Sequence, residues 1–414
     1  MKRTWLKSII LIAIVLVFRS TRCFGYSVLT HEAIIDANWN SVLAPLLKQK
    51  FPGATDEELK NAHAFAYGGC VMPDLGYYPF GSKLFTNLVH YVRGGDFIEN
   101  LVEEASNINE YAFALGAMCH YFADRFGHSI GVNRSVPLIY PEMKIKFGDT
   151  VTYADDKISH LRTEFSFDVL QTARGNYAPQ AYHDFVGFQV SKELIEKAFQ
   201  KTYGLDVNEL FSNFDRAIGS FRWSVKELIP SATRAAWKTK RKEIRELNPS
   251  TARHSYVYNI RRQKYFKEFG RERDKATFRE SLLAFLIRIA PKWGSLKILK
   301  FRIPDRQAEN MFLESFDATV TNYGHVAAQT TGGHIELPNV DWDTGKKTMQ
   351  GEYSLADKTY SDWVIRLKEK KFATIDPSIK KNILAFYKNQ GNSDLNDDQW
   401  QQTSAALEEL KNGE

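Results

Sequence analysis

The segment His120-Tyr-Phe-Ala-Asp124-Arg-Phe-Gly-His128 sets an imidazole, a carboxylate and a second imidazole at successive four-residue steps. At about 100° per residue, three such positions fan over about 80° of an α-helix and line one stripe. His160-Leu-Arg-Thr-Glu164 repeats the spacing, and six of the ten histidines fall between His31 and His160. Upstream stand His31 in Tyr26-Ser-Val-Leu-Thr-His31-Glu, Asp74 in Met-Pro-Asp74-Leu-Gly, and His90 in Asn-Leu-Val-His90-Tyr. This donor set holds only nitrogen and oxygen, which suits zinc in tetrahedral or five-coordinate sites, with iron and manganese as rivals. Asp124 lies in the otherwise apolar run Tyr111 to Phe126, where a buried charge requires a partner or a metal. An ion pair with Arg125 is the competing structural explanation. His63, His183, His254, His325 and His334 read as surface or hydrogen-bonded core histidines.

The order of these residues resembles the zinc-dependent phospholipase C and P1/S1 nuclease superfamily, most closely its zinc-dependent phospholipase C branch. The resemblance spans roughly residues 26 to 190. It implies an all-α, multi-helix domain with a trinuclear zinc site, followed by further helices. Residue by residue, it implies that the amine and carbonyl of a processed terminus at Tyr26, with His31, hold one ion. Asp74, His90, His120 and Asp124 hold the second, Asp124 acting as the bridge, and His128, His160 and Glu164 hold the third. Asp74 is also the implied general base. The five-residue step from Tyr26 to His31 is that of the nuclease branch. Two departures stand out: Tyr replaces the usual terminal Trp, and three residues, not five, separate Asp124 from His128. The first leaves the backbone donor atoms intact, whereas the second moves a ligand around its helix.

The implied activity is zinc-dependent phosphoester hydrolysis of phospholipase C type on a phospholipid or other phosphodiester. Nucleic acid is the substrate only under the alternative of a single-strand nuclease. A zinc-stabilised, non-enzymatic binding scaffold is the alternative of a different class.

A free amine at Tyr26 requires processing. Met1 to Lys7 is a basic region, Ser8 to Phe18 an apolar one, and Cys23-Phe-Gly25 offers small residues for cleavage. Residues 1–25 therefore read as a signal peptide, and the expected location is secreted or periplasmic. The apolar stretch falls short of the about 20 residues of a membrane span. Beyond the signal the chain has only Cys70 and Cys119, which either bridge or remain buried thiols.

The signal holds five Lys or Arg and no acid, so the chain from Tyr26 carries +1 instead of the +6 of the whole. That balance hides a segregation, with 20 basic and 6 acidic residues between Arg234 and Arg302. Within this stretch, residues 278–302 have an amphipathic face that can meet an anionic membrane, cover the helical core, or track single-stranded nucleic acid with its aromatics.

The elements that must position the donors follow from helical periodicity. It runs through Glu57 to Tyr67, Asp96 to Ser106, Glu110 to His128, Asp156 to Gln171, Ser191 to Tyr203, Val207 to Leu228 and Ala232 to Leu247. Gly68 to Gly81 and Val132 to Gly148 read as connections over the site. The expected organisation is a helical domain over 26–230, a basic helical extension over 231–331, and a polar C-terminal region over 332–414. That last region is expected to hold two short helices, a capping box at Ser354-Leu-Ala-Asp357 and a loose tail, with nothing suggesting catalysis.

Overall fold

A computed structural model describes residues 28–174, 176–177, 186–247, 294–330, 335–389 and 395–412. Tyr26, His183, His254, His334 and residues 278–293 of the amphipathic stretch lie outside them. The chain is all-α, and its described helices are α1 (Val28–Asn38), α2 (Ala44–Lys50), α3 (Asp56–Val71), α4 (Lys83–Tyr91), α5 (Gly94–Glu104), α6 (Ile108–Phe126), α7 (Asn133–Ile139) and α8 (Pro141–Phe147). They continue with α9 (Lys157–Ala173), α10 (Lys192–Tyr203), α11 (Phe214–Trp223), α12 (Ile229–Leu247), α13 (Arg306–Gln329), α14 (Ser354–Glu369), α15 (Pro377–Phe386) and α16 (Asp397–Asn412).

The start of α3 is set by a capping box, in which Thr55 Oγ1 accepts from Glu58 N and Glu58 Oε2 accepts from Thr55 N. Asn107 caps α6 through Asn109 N and Glu110 N. Every side chain of α6 from Tyr111 to Asp124 is buried, so this helix runs through the middle of the core. Against it lies α3, with glycines at the crossing. A Cβ on Gly69 would stand 2.0 Å from Phe113 O, and one on Gly116 would stand 2.1 Å from Ala66 O. Backbone therefore rests on backbone, close enough for the Cys70 carbonyl to reach a side chain of α6. Helix α13 closes the other side, where Tyr323 Oη donates to Leu115 O and Tyr111 Oη to Thr330 Oγ1.

Several local expectations give way to tertiary packing. Gly68 to Gly81 is not a plain connection: α3 runs on to Val71 and passes into a 3-10 turn, Met72–Tyr77. Val132 to Gly148 contains α7 and α8. The single helix expected over Val207 to Leu228 is three pieces, because Asn213 caps a new helix, α11, after the short 3-10 turn Val207–Leu210. Ser354 caps nothing. Its helix is preceded by Tyr353, and Asp357 accepts from Gly351 N instead. The expected tail contains α16, which buries Leu407 and Leu410. Cys70 and Cys119 are buried free thiols. At the end of the basic stretch, Ile298, Phe301 and Ile303 pack with Leu161, Phe165 and Val169 of α9, covering core. No described helix is long and apolar enough to cross a membrane.

The glycine crossing gives a direct test. Gly116→Ala overpacks the α3–α6 contact and is expected to destabilise by about 1–3 kcal/mol or more. Gly219→Ala in α11, whose added Cβ meets nothing within 4 Å, is expected to be neutral or stabilising. Thermal unfolding of the two variants checks this, and equal melting would contradict the crossing.

Candidate metal centre

Each element delivers its donors by its own local logic. His31 projects from α1, His120 and Asp124 from consecutive turns of α6, and His160 and Glu164 from consecutive turns of α9. His90 comes from the last turn of α4, and Asp74 from the 3-10 turn after α3. His128 falls in a π-helical segment, Gly127–Val132, that continues α6. A π turn is wider than an α turn, so the short spacing from Asp124 is met by a change of helix type rather than by a straight stripe.

These eight side chains converge, and none is more than 3% exposed. Asp124 stands at the centre. Its Oδ1 lies 3.6 Å from His31 Nε2 and 3.9 Å from His128 Nε2. Its Oδ2 lies 3.1 Å from His120 Nε2 and 3.2 Å from His90 Nε2. His90 Nε2 is also 3.5 Å from Asp74 Oδ1. Glu164 Oε1 lies 2.9 Å from His160 Nε2 and 3.2 Å from His128 Nε2. Three donor groups result: His31, His120 and Asp124; Asp74, His90 and His120; and His128, His160 and Glu164. All eight described candidates belong to one of them, and the ninth, Tyr26, lies outside the described residues.

The chemistry of the cluster fits metal ions. His120 Nδ1 lies 2.8 Å from Cys70 O, and His90 Nδ1 lies 2.8 Å from Thr86 O. A carbonyl only accepts, so both rings carry their proton at Nδ1 and turn Nε2 inward. With both rings uncharged, their Nε2 lone pairs would face each other at 3.3 Å, an arrangement that a shared cation would relieve. Both oxygens of Asp124, both of Glu164, Asp74 Oδ1 and both ring nitrogens of His160 are buried without a hydrogen bond. Among the described residues no Lys or Arg pairs with the three carboxylates. The Arg125 explanation fails here, since its guanidinium reaches Tyr121 Oη and lies over the Phe126 ring.

Electrostatics sort the groups. Burial raises Asp74 to about 6, against the pull of His120 and His90. Burial acts in the same sense on Asp124, but His120 and His128 overcome it and hold its carboxyl well below the usual range. Burial, reinforced by His120, holds His31 well below an ordinary imidazole. His63 lies apart, its Nε2 2.9 Å from Asp36 Oδ1 and its ring stacked on Trp39, while His325 is exposed and contacts Gln329.

Sequence reasoning missed two contributors altogether. Trp342 is buried with its indole 4.8 Å from the His90 ring and 5.6 Å from the His120 ring. Next to it, Asp343 Oδ1 lies 3.1 Å from His128 Nδ1, and that contact keeps its carboxyl below the usual range despite burial. No spacing rule could join residues 215 positions apart. The signal available was only the density of Asp341, Asp343 and Trp342 in a polar stretch.

An all-α domain thus encloses a buried cluster of histidines and carboxylates, a donor set whose chemistry suits zinc. Residues 30–213, somewhat less than half of the chain, match the family model described as zinc dependent phospholipase C. No curated protein and no solved structure matches. All eight described donors lie inside the matched residues, whereas Trp342 and Asp343 lie beyond them.

Ligands must be deprotonated, so metal and protons compete. Asp74 is near 6 in the metal-free protein, while Asp124 outweighs burial and holds His120 and His128 above an ordinary imidazole, so protons already compete with zinc for these donors above that pH. Below it, affinity should fall by about tenfold per pH unit for each proton displaced. Zinc titration across this range, with proton release read by calorimetry in two buffers, checks the sign.

Proposed function

We propose that the chain is an exported zinc-dependent phosphoesterase that cleaves a phospholipid headgroup bond by phospholipase C-type hydrolysis. The observation that carries this reading is the set of three donor groups around Asp124, inside the segment that matches the zinc-dependent phospholipase C family. Asp74, His90, His120 and Asp124 would hold one zinc ion, His128, His160 and Glu164 a second, and His31 a third with the Tyr26 amine and carbonyl. Freeing that amine calls for signal cleavage after Gly25, which the basic and apolar order of residues 1–25 supports. Bound zinc supplies Lewis acidity toward a phosphoryl oxygen and lowers the pKa of water.

The chain's own residues supply the rest. Asp74, whose carboxyl burial raises to about 6 in the metal-free protein, would accept the proton of the attacking water as general base. Asp124 spans the cluster with one oxygen toward each side, and the carbonyls of Cys70 and Thr86 keep His120 and His90 turned inward. Tyr77 and Tyr153, 6.3 Å apart, flank the cluster beside His90 and His160. At 9% exposure they reach nearer the solvent than the donors, which supports substrate approach between them.

The test is metal analysis of the protein beginning at Tyr26, with turnover measured on phosphatidylcholine, other phospholipids and single-stranded DNA. About three zinc ions per chain and phospholipid cleavage are expected. Asp74→Asn should lower kcat by about 10²–10⁴-fold while most zinc stays bound, and Asp124→Asn should lose zinc and turnover together. Nucleotide release would move the chain to nuclease chemistry, zinc without any turnover would make it a scaffold, and absence of metal after reconstitution would overturn the reading.

A further inference from the structure

Two histidines of the cluster are oriented by main-chain carbonyls, which no substitution of the accepting residue removes. His128 differs. It sits in the π turn, and its Nδ1 faces a side chain, Asp343 Oδ1, at 3.1 Å. Asp343 is itself buried and held from three directions. Tyr91 Oη donates to its Oδ2 at 2.8 Å, Tyr353 Oη donates to the same oxygen at 2.5 Å, and Asn133 Nδ2 donates to its main-chain carbonyl at 2.7 Å. The neighbouring Trp342 N–H donates to His90 O at 3.2 Å, which ties the same segment to the other side of the cluster. A Cβ on Gly94 would stand 2.6 Å from Trp342 Nε1, so the helix α5 start leaves just enough room for the indole.

We infer that Asp343 is a positioning residue of the metal centre: by accepting from His128 Nδ1–H it fixes that tautomer and aims Nε2 at Glu164 and Asp124. The donor group His128, His160 and Glu164 thus depends on a segment that lies beyond the family-matched residues. The inference rests on the reading of the cluster as a zinc centre. Its physical basis is general, because a carboxylate on the outer nitrogen of a ligating imidazole sets the ring's orientation and raises its basicity. Tyr91 and Tyr353 occupy the other carboxylate oxygen, leaving Oδ1 for the imidazole.

The experiment uses the full chain from Tyr26 as wild type, Asp343→Ala, Asp343→Asn and Tyr353→Phe. Zinc stoichiometry and competition against a chromophoric chelator are measured for each, together with long-range ¹H–¹⁵N spectra of the histidines in the zinc-free state. In Asp343→Ala one ion of the wild-type complement should weaken by about 100-fold and the others should hold. Asp343→Asn keeps an oxygen acceptor without the charge, so that ion should weaken by only about 10-fold. Tyr353→Phe removes one donor to Oδ2 but leaves the carboxylate and the Tyr91 contact in place, so it should weaken that ion less than either Asp343 variant. His128 should appear as the Nδ1–H tautomer in wild type and lose that preference in Asp343→Ala. Competition curves of both Asp343 variants that superimpose on wild type would overturn the inference, as would an equal loss of all ions in Asp343→Ala and Tyr353→Phe. Should Asp343→Ala fail to fold, Asp343→Asn decides by the same criterion. Wild type without zinc would defeat the zinc reading, whereas the zinc-free spectra would still report on Asp343.

Discussion

Three carboxylates and five histidines share a buried space in which, among the described residues, no Lys or Arg pairs with the carboxylates. Neutral rings would leave the carboxylates buried as uncompensated negative charge. Fully protonated rings would leave an excess of positive charge instead. The neutral-ring state is expensive in a low-dielectric interior, and cations bound between the groups would offset its buried negative charge. Much of the fold serves to hold these donors at that separation against their own electrostatics. The glycine crossing of α3 and α6 brings the Cys70 carbonyl onto His120, and the turn after α3 then carries Asp74 to the same place.

What was legible in the sequence was periodic. His120 with Asp124 and His160 with Glu164 are neighbours on helices whose backbones bring them together wherever those helices go, so local spacing sufficed. Asp74, His90 and His31 are single residues from three other elements, and their convergence is a tertiary fact that only the family resemblance anticipated. The illegible parts share a cause. Gly69 and Gly116 look like helix-weakening residues until the partner backbone is present. The helix α1 alternates polar and apolar residues without a clean stripe because it is buried on nearly every side. Ser354 and Asp357 have the spacing of a capping box, yet the chain enters that helix through Tyr353, whose hydroxyl is committed to Asp343.

The π turn after α6 shows how a sequence irregularity becomes a structural device. Three residues between Asp124 and His128 would place both on one α-helical stripe, as His120 and Asp124 are. The Asn133 N–H instead bonds back five residues to the His128 carbonyl, and the helix widens where His128 must turn away toward α9. Gly131 sits in that turn against α13, where a Cβ would meet Ser315 Oγ at 2.7 Å. The turn is thus pinned from outside by α13 and from inside by the contacts of His128.

The C-terminal region changes what counts as the centre. A domain boundary drawn at the end of the family match would separate His128 from Asp343 and remove Trp342 from the rings of His90 and His120. Burying Asp343 costs free energy by itself, and the two tyrosine hydroxyls, the Asn133 amide and His128 offset that cost only when α4, α7, the π turn and the start of α14 are all in place. The polar network therefore couples the assembly of the C-terminal region to the assembly of the cluster. Trp342 adds an apolar wall beside His90 and His120, where low dielectric would strengthen every interaction a bound cation makes. A late segment of the chain, polar in composition and silent in its spacing, thereby sets the environment in which the earlier residues act.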